Sequence, residues 1–178
     1  MGMRVWLIAA ATIATFPGPD RQAASPDGIH AVAWEPPTST DHELTHHLFL
    51  VGLRSDRRTA LMFFFRSATI DWSPSGARFA VTCHCGSDFS TVTVFEVSGS
   101  SRQIDVITKL RQQLGPLDVL RNHHAYVESQ GWASEDVLRV AIWGYGEQNP
   151  EGFDRKYELD LRGKARVVRA RSGLPENR

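Results

Sequence analysis

Two copies of one turn-and-strand unit constrain what this 178-residue chain can fold into. Ser25-Pro26-Asp27-Gly28 runs into Ile29-His30-Ala31-Val32-Ala33, and Ser73-Pro74-Ser75-Gly76 runs into Ala77-Arg78-Phe79-Ala80-Val81. A looser third copy leads from Trp132-Ala133-Ser134-Glu135-Asp136 into Val137-Leu138-Arg139-Val140-Ala141, with Trp132 in the place of Trp72. Proline presets φ at the second turn position, glycine or aspartate accepts φ > 0 later, and the alternating apolar residues that follow mark a half-buried strand. Recurrence of the unit implies a repeated supersecondary element.

Strand patterns fill the intervals. His47 to Arg54 and Thr59 to Phe65 flank the polar Ser55-Asp56-Arg57-Arg58, a hairpin connection. Thr91 to Val97, Tyr126 to Ser129, Lys156 to Leu161 and Ala165 to Val168 carry further strand signals. From Ser101 to Leu114 the period changes: Ile104, Ile107, Leu110, Arg111 and Leu114 fall at helical spacing, Ser101 is a candidate cap, and Gly115-Pro116 ends the run. Gly144 to Gly152 lacks periodicity and carries Gly, Asn and Pro, which predicts a long surface loop. The fold class expected is mainly β, an antiparallel meander of blade-like repeats with one α-helix near 102–114.

Trp72-Ser73-Pro74-Ser75-Gly76 resembles the Trp-Ser-Pro-Asp-Gly repeat of the TolB-like and WD40-like β-propellers, and Asp27 keeps that motif's Asp in the first copy. The resemblance spans Ser25 to about Val168. It implies propeller-blade repeats and a binding or scaffolding surface, with no catalytic residues to carry over. A closed ring takes about four or more blades, and the strands here suffice for two or three. The expectation is therefore a partial propeller or a sandwich, or copies that assemble as a homo-oligomer.

The N-terminus bears on location. Met1 to Arg4 supplies one positive charge, Val5 to Phe16 is an unbroken run of apolar and small residues, and Pro17-Gly18-Pro19 stops it. This is the layout of a signal peptide, with a buried N-terminal strand or helix as the lesser alternative. At about a dozen residues the run is short of the roughly 20 that span a bilayer, which predicts export to the periplasm or beyond with no stable membrane anchor. Thr12-Ile13-Ala14 and, more weakly, Gln22-Ala23-Ala24 offer small residues for cleavage. The expected division is a signal peptide over 1–24 and a single β-rich domain over 25–178. Twenty basic and twenty acidic side chains cancel, so no field of one sign exists to gather nucleic acid.

One motif points to catalysis. His42-Glu43-Leu44-Thr45-His46 resembles the signature of the thermolysin-like metallopeptidases. On a helix, residues four apart share a face, so His42 and His46 are the implied zinc ligands and Glu43 the implied base that polarises a bound water. Its surroundings argue for a different structure. Pro36-Pro37 leaves almost no helix ahead of His42, although Ser39 or Asp41 could cap one that began at the motif. Leu48-Phe49-Leu50-Val51 is rich in strand formers, and no Glu lies between Glu43 and Glu96 to serve as a downstream ligand. A polar loop between strands is the leading expectation for this segment.

Cys83-His84-Cys85 places two thiols on one strand face, suited to core packing more than to a soft-metal or redox clip, and a bridge across one residue is expected to be strained. His123-His124 is a candidate metal or pH-sensing pair whose rings are expected to diverge. Trp34, Trp72, Trp132 and Trp143, about one per strand, fit core anchors better than a sugar or peptide site. The functional expectation is an exported, non-enzymatic binding module. It holds a protein or small-ligand partner through the loops 36–45 and 144–153 and needs no cofactor. The alternative is a small zinc metallopeptidase using His42, Glu43 and His46.

Overall fold

The computed structural model describes residues 13–37, 45–55, 57–98 and 102–172. In chain order the elements are β1 (Ile13–Phe16), β2 (Gln22–Ala24), β3 (His30–Glu35), β4 (His46–Gly52), β5 (Arg58–Phe64), β6 (Ser67–Trp72), β7 (Arg78–His84), β8 (Thr91–Glu96) and β9 (Gln103–Asp105). The helix α1 (Val106–Leu114) and a 3-10 turn (Asp118–Arg121) follow, then β10 (His124–Trp132), β11 (Val137–Gly146), β12 (Asn149–Asp160) and β13 (Arg166–Ser172). They form three antiparallel sheets, with orders β2-β3-β4-β5, β1-β6-β7-β8-β9 and β10-β11-β12-β13. The protein is mainly β, as the repeats predict.

The repeated turns are alike in detail. Gly28 N–H donates to Ser25 O and Gly76 N–H to Ser73 O, each at 3.0 Å. The two glycines adopt φ of 67° and 78°, which a Cβ would strain. Each serine hydroxyl also accepts the N–H that opens the next strand, His30 onto Ser25 at 3.0 Å and Arg78 onto Ser73 at 3.1 Å. Hydrogen bonds from the Ser25 hydroxyl and the Ile29 N–H outweigh the effect of burial on Asp27 and hold its carboxyl below the usual range.

Successive sheets share cores. Val32, Trp34, Leu48 and Phe64 of the first sheet pack against Ile70, Trp72, Phe79 and Val81 of the second. The other face of the second sheet, with Val92 and Val94, meets Leu138, Val140, Ile142 and Phe153 of the third, and α1 adds Val106 and Leu110. One device recurs at both junctions. The buried Trp72 donates its indole N–H to Ala23 O at 3.1 Å, and Trp132 donates to Asp71 O at 3.0 Å, so the tryptophan ending each strand ties it to the preceding sheet. The third turn reaches the second: Glu135 accepts from the Ser73 hydroxyl at 2.8 Å and from Ser75 N–H at 2.9 Å.

Three local expectations need correction. The helix starts at Val106 rather than near 102, because Gln103–Asp105 pairs with β8 as β9 and Asp105 supplies the cap, accepting from Thr108 N–H at 2.6 Å. Ser101 lies outside the described residues. The segment 144–152 is no long loop: β11 runs to Gly146 and β12 begins at Asn149, leaving Glu147 and Gln148 as the turn, because pairing on both sides overrides the local Gly and Pro signals. Cys83 and Cys85 form a disulfide, so neither is a free thiol.

Residues of the expected signal peptide also take part in the sheets. Residues 1–12 lie outside the described part of the chain, whereas Ile13–Phe16 pairs with β6 and Gln22–Ala24 with β3. Phe16 is fully buried in the first core. No helix among the described residues is long and apolar enough to cross a membrane.

Asp71 is a buried carboxyl whose ionisation burial disfavours; hydrogen bonds from Ser129 and Gly131 N–H offset this only in part, so its pKa is raised from 3.8. Its second oxygen has no partner. A raised folded-state pKa in an acid contributes stability at low pH that is lost as pH climbs through the window above 3.8. In thermal melts the Tm of Asp71→Asn minus that of the wild type is therefore expected to rise between about pH 4 and about pH 7. A difference that is flat or falls across that range would contradict the assignment.

Candidate functional site: an aromatic face on the third sheet

The third sheet buries one face and presents the other. On β10, Val127 points into the core while His124, Tyr126 and Glu128 point away; on β11, Leu138, Val140 and Ile142 point in while Ala141, Trp143 and Tyr145 point away. The register sets His124 opposite Tyr145 and Tyr126 opposite Trp143. These cross-strand pairs stack, with ring centroids 4.3 Å apart in the first and 4.4 Å in the second. Such pairs are worth roughly 0.5–1.5 kcal/mol beyond the area they bury. His123 adds a fifth ring, 4.7 Å from His124, so the two histidines lie together rather than diverging.

Backbone features fix this face. Gly144 brings β11 so near β10 that a Cβ would run into the His124 carbonyl, which is why the shortest residue stands between Trp143 and Tyr145. Buried Asn122 donates to Val119 O at 3.0 Å and to the Asn149 side chain at 3.1 Å, pinning the β11–β12 hairpin to the turn before β10. Tyr126 donates its hydroxyl to Ser87 O at 2.8 Å, and Ala125 N–H donates to Asp88 O at 3.1 Å, which docks the loop after Cys85 onto β10. Burial, with Tyr145 and Asp88 nearby, pushes the Tyr126 phenol up, so it stays a donor at neutral pH. The result is a rigid, aromatic, partly exposed surface beside a hairpin. It is equipped to bind by ring contact and hydrogen bonding.

The other sequence-predicted residues are placed as follows. His42 and Glu43 lie outside the described residues, as do 38–44 of the loop 36–45. His46 opens β4, its ring stacked 5.0 Å from Phe64 and edge-on 5.3 Å from Trp34. A ligand role for His46 would thus have to be met from a strand, not from the helix that the five-residue match implies. Among the described residues no group of three or more His, Cys, Asp or Glu is placed to hold a metal ion. The sulfurs of Cys83 and Cys85 are spent on each other. Trp34, Trp72 and Trp132 are core residues, whereas Trp143 lies on the outward face.

The sequence singles out 144–153 as a candidate contact segment, and the structure adds the rings of His124 and Tyr126 on β10, stacked on Tyr145 and Trp143. The signal was there: His124-Ala125-Tyr126 and Trp143-Gly144-Tyr145 both alternate large rings with small residues. A cleft of about 450 Å³ beside α1 is lined by Arg78, Glu96, Arg102, Asp105, Lys109 and Arg162 among others. Its acids are already committed, Glu96 to Arg78 and Asp105 to capping α1.

No family model matches the chain, and no curated protein does. A solved structure from a study of two prolyl endopeptidases and the role of inter-domain dynamics in their catalysis and specificity aligns at 14% identity with a TM-score of 0.49. The alignment covers 92% of this chain and 22% of that one, so the chain spans about a fifth of that protein's length. A likeness of this degree carries no argument about activity.

Proposed function

We propose that the protein is an exported, non-enzymatic binding module built of propeller-blade-like repeats, which engages a protein or small-ligand partner through the outward face of its third sheet. The observation that carries the reading is the stacked set His124, Tyr126, Trp143 and Tyr145, held on paired strands with its edge open at a hairpin. Tyr145 is 40% exposed, which core packing does not require. Aromatic residues are over-represented where proteins bind partners, because they supply large contact area with few rotatable bonds. The segment 36–45 is the second proposed contact surface.

Two measurements test the reading. Tyr145→Ala is expected to keep cooperative unfolding while losing the partner that wild-type protein retains when both are immobilised and exposed to one exported fraction. Equal capture by both proteins would sink the assignment of this face. Metal analysis of the purified protein addresses the enzymatic alternative. Stoichiometric zinc, lost on changing His42 or His46 to Ala, would replace the binding module with a metallopeptidase.

A further inference from the structure

We infer that the exported precursor is cut at the Ala14–Thr15 peptide bond and that the fold excludes the alternative cut after Ala24; the assignment rests on the export reading above. A leader peptidase needs small side chains one and three residues before the bond, behind an apolar run of at least about seven residues. Thr12 and Ala14 provide the first, and Val5 to Ala11 provides the second. The site ending at Ala24 has Gln22 three residues before the bond and stands beyond Asp20 and Arg21.

The structure separates the two sites by what each would remove. A cut after Ala24 discards Phe16, which is fully buried, and Ala23, which is 2% exposed. It also takes away the Ala23 carbonyl that accepts the Trp72 indole at 3.1 Å and the Asp20 carbonyl that accepts the Trp34 indole at 3.1 Å. The Arg21 carbonyl, which accepts Trp34 N–H at 3.0 Å, goes with them. Two sheets would lose an edge strand and two largely buried indoles would lose their acceptors. A cut after Ala14 discards Ile13, which is 62% exposed, and the half-buried Ala14. Thr15 and Phe16 remain opposite Thr69 and Ala68, and the new ammonium falls on a residue that faces solvent.

The order of events follows from β1. Ala14 and Thr15 lie within a strand paired to β6, so the bond is available to a protease before β1 docks and is shielded afterwards. Hydrolysis adds one water across the amide, leaving a carboxylate on Ala14 and an ammonium on Thr15. The peptidase acts on the extended chain during export, and folding then closes over Phe16.

The test uses the full chain. Purified bacterial leader peptidase in detergent micelles is added during cell-free synthesis and, separately, to the folded chain, and products are identified by intact mass and N-terminal sequencing. Expected are a product beginning at Thr15 and cleavage of the folded chain at least about tenfold slower. Ala14→Leu is expected to abolish the cut and Ala24→Leu to leave it unchanged. A product beginning at Ser25 or Thr12, no cleavage, or equal rates on nascent and folded chain would each overturn the inference. Fractionation of cells expressing the same chain addresses export by itself. Protein confined to the cytoplasm while the purified reaction cuts at Thr15 would defeat the export reading and leave the bond assignment standing.

Discussion

Phe16→Ala is expected to lower the free energy of unfolding by about 3–5 kcal/mol, the range for emptying a phenylalanine from a packed core. Phe16 is fully buried, its ring centroid lies 6.4 Å from that of Trp34, and it belongs to the cluster that joins the first and second sheets. The ladder around it is thin. β1 pairs on one side only, with β6, so little else holds the strand once its one buried anchor is gone. A loss of that size is a large share of the stability of an ordinary domain. Urea titration of the wild type and of Phe16→Ala gives the value directly, and Thr15→Ala, at an exposed position of the same strand, should stay within about 0.5 kcal/mol. A loss at Phe16 that also stays within about 0.5 kcal/mol would show that β1 is dispensable to the fold.

Arg78→Met is the second large effect, at about 3 kcal/mol. The guanidinium is 11% exposed and lies between two carboxylates, Asp136 at 2.6 Å and Glu96 at 3.2 Å, and it also donates to Glu135 O at 3.2 Å. Glu96 belongs to the second sheet and Asp136 to the turn that opens β11, so one side chain fastens two sheets. Removing the cation leaves two partly buried acids facing each other, and that uncompensated charge makes up most of the loss. Asp136 keeps Arg162 at 3.1 Å, but that side chain is largely exposed and compensates weakly. The triple variant Arg78→Met, Glu96→Gln, Asp136→Asn is therefore expected to recover at least half of the loss in chemical denaturation. A triple variant no more stable than the single one would mean that packing of the arginine stem, rather than charge, is what counts.

Features held within a few residues were legible in the chain. The Ser25 and Ser73 turns depend on Pro at one position and Gly at another, and their hydrogen bonds span at most five residues. The end of α1 at Gly115 and the connection between β4 and β5 are local in the same sense. The N-terminal strands were not legible, since an apolar run with small residues has the composition of an export leader and of a buried strand alike. What turns Ile13–Phe16 into β1 is a partner more than fifty positions away, Ile13 lying opposite Asp71. The bridge between Cys83 and Cys85 was likewise hidden, because same-face neighbours two apart can be packed thiols or a disulfide with no difference in sequence.

The aromatic face divides the two sources of information most clearly. Alternation along His124-Ala125-Tyr126 and Trp143-Gly144-Tyr145 puts the rings of each segment on one side only if both segments are strands, and the Gly, Asn and Pro of 144–152 point instead to a loop. Period-two alternation does not say which side is the core. Trp132, which ends β10, is buried, and Trp143 on β11 faces outward. The tertiary structure made that choice when the second sheet packed against Val127, Val140 and Ile142, and the register then set His124 on Tyr145 and Tyr126 on Trp143. The repeated turns and the strand period are properties of short segments; which face remains open depends on contacts between residues far apart in the chain.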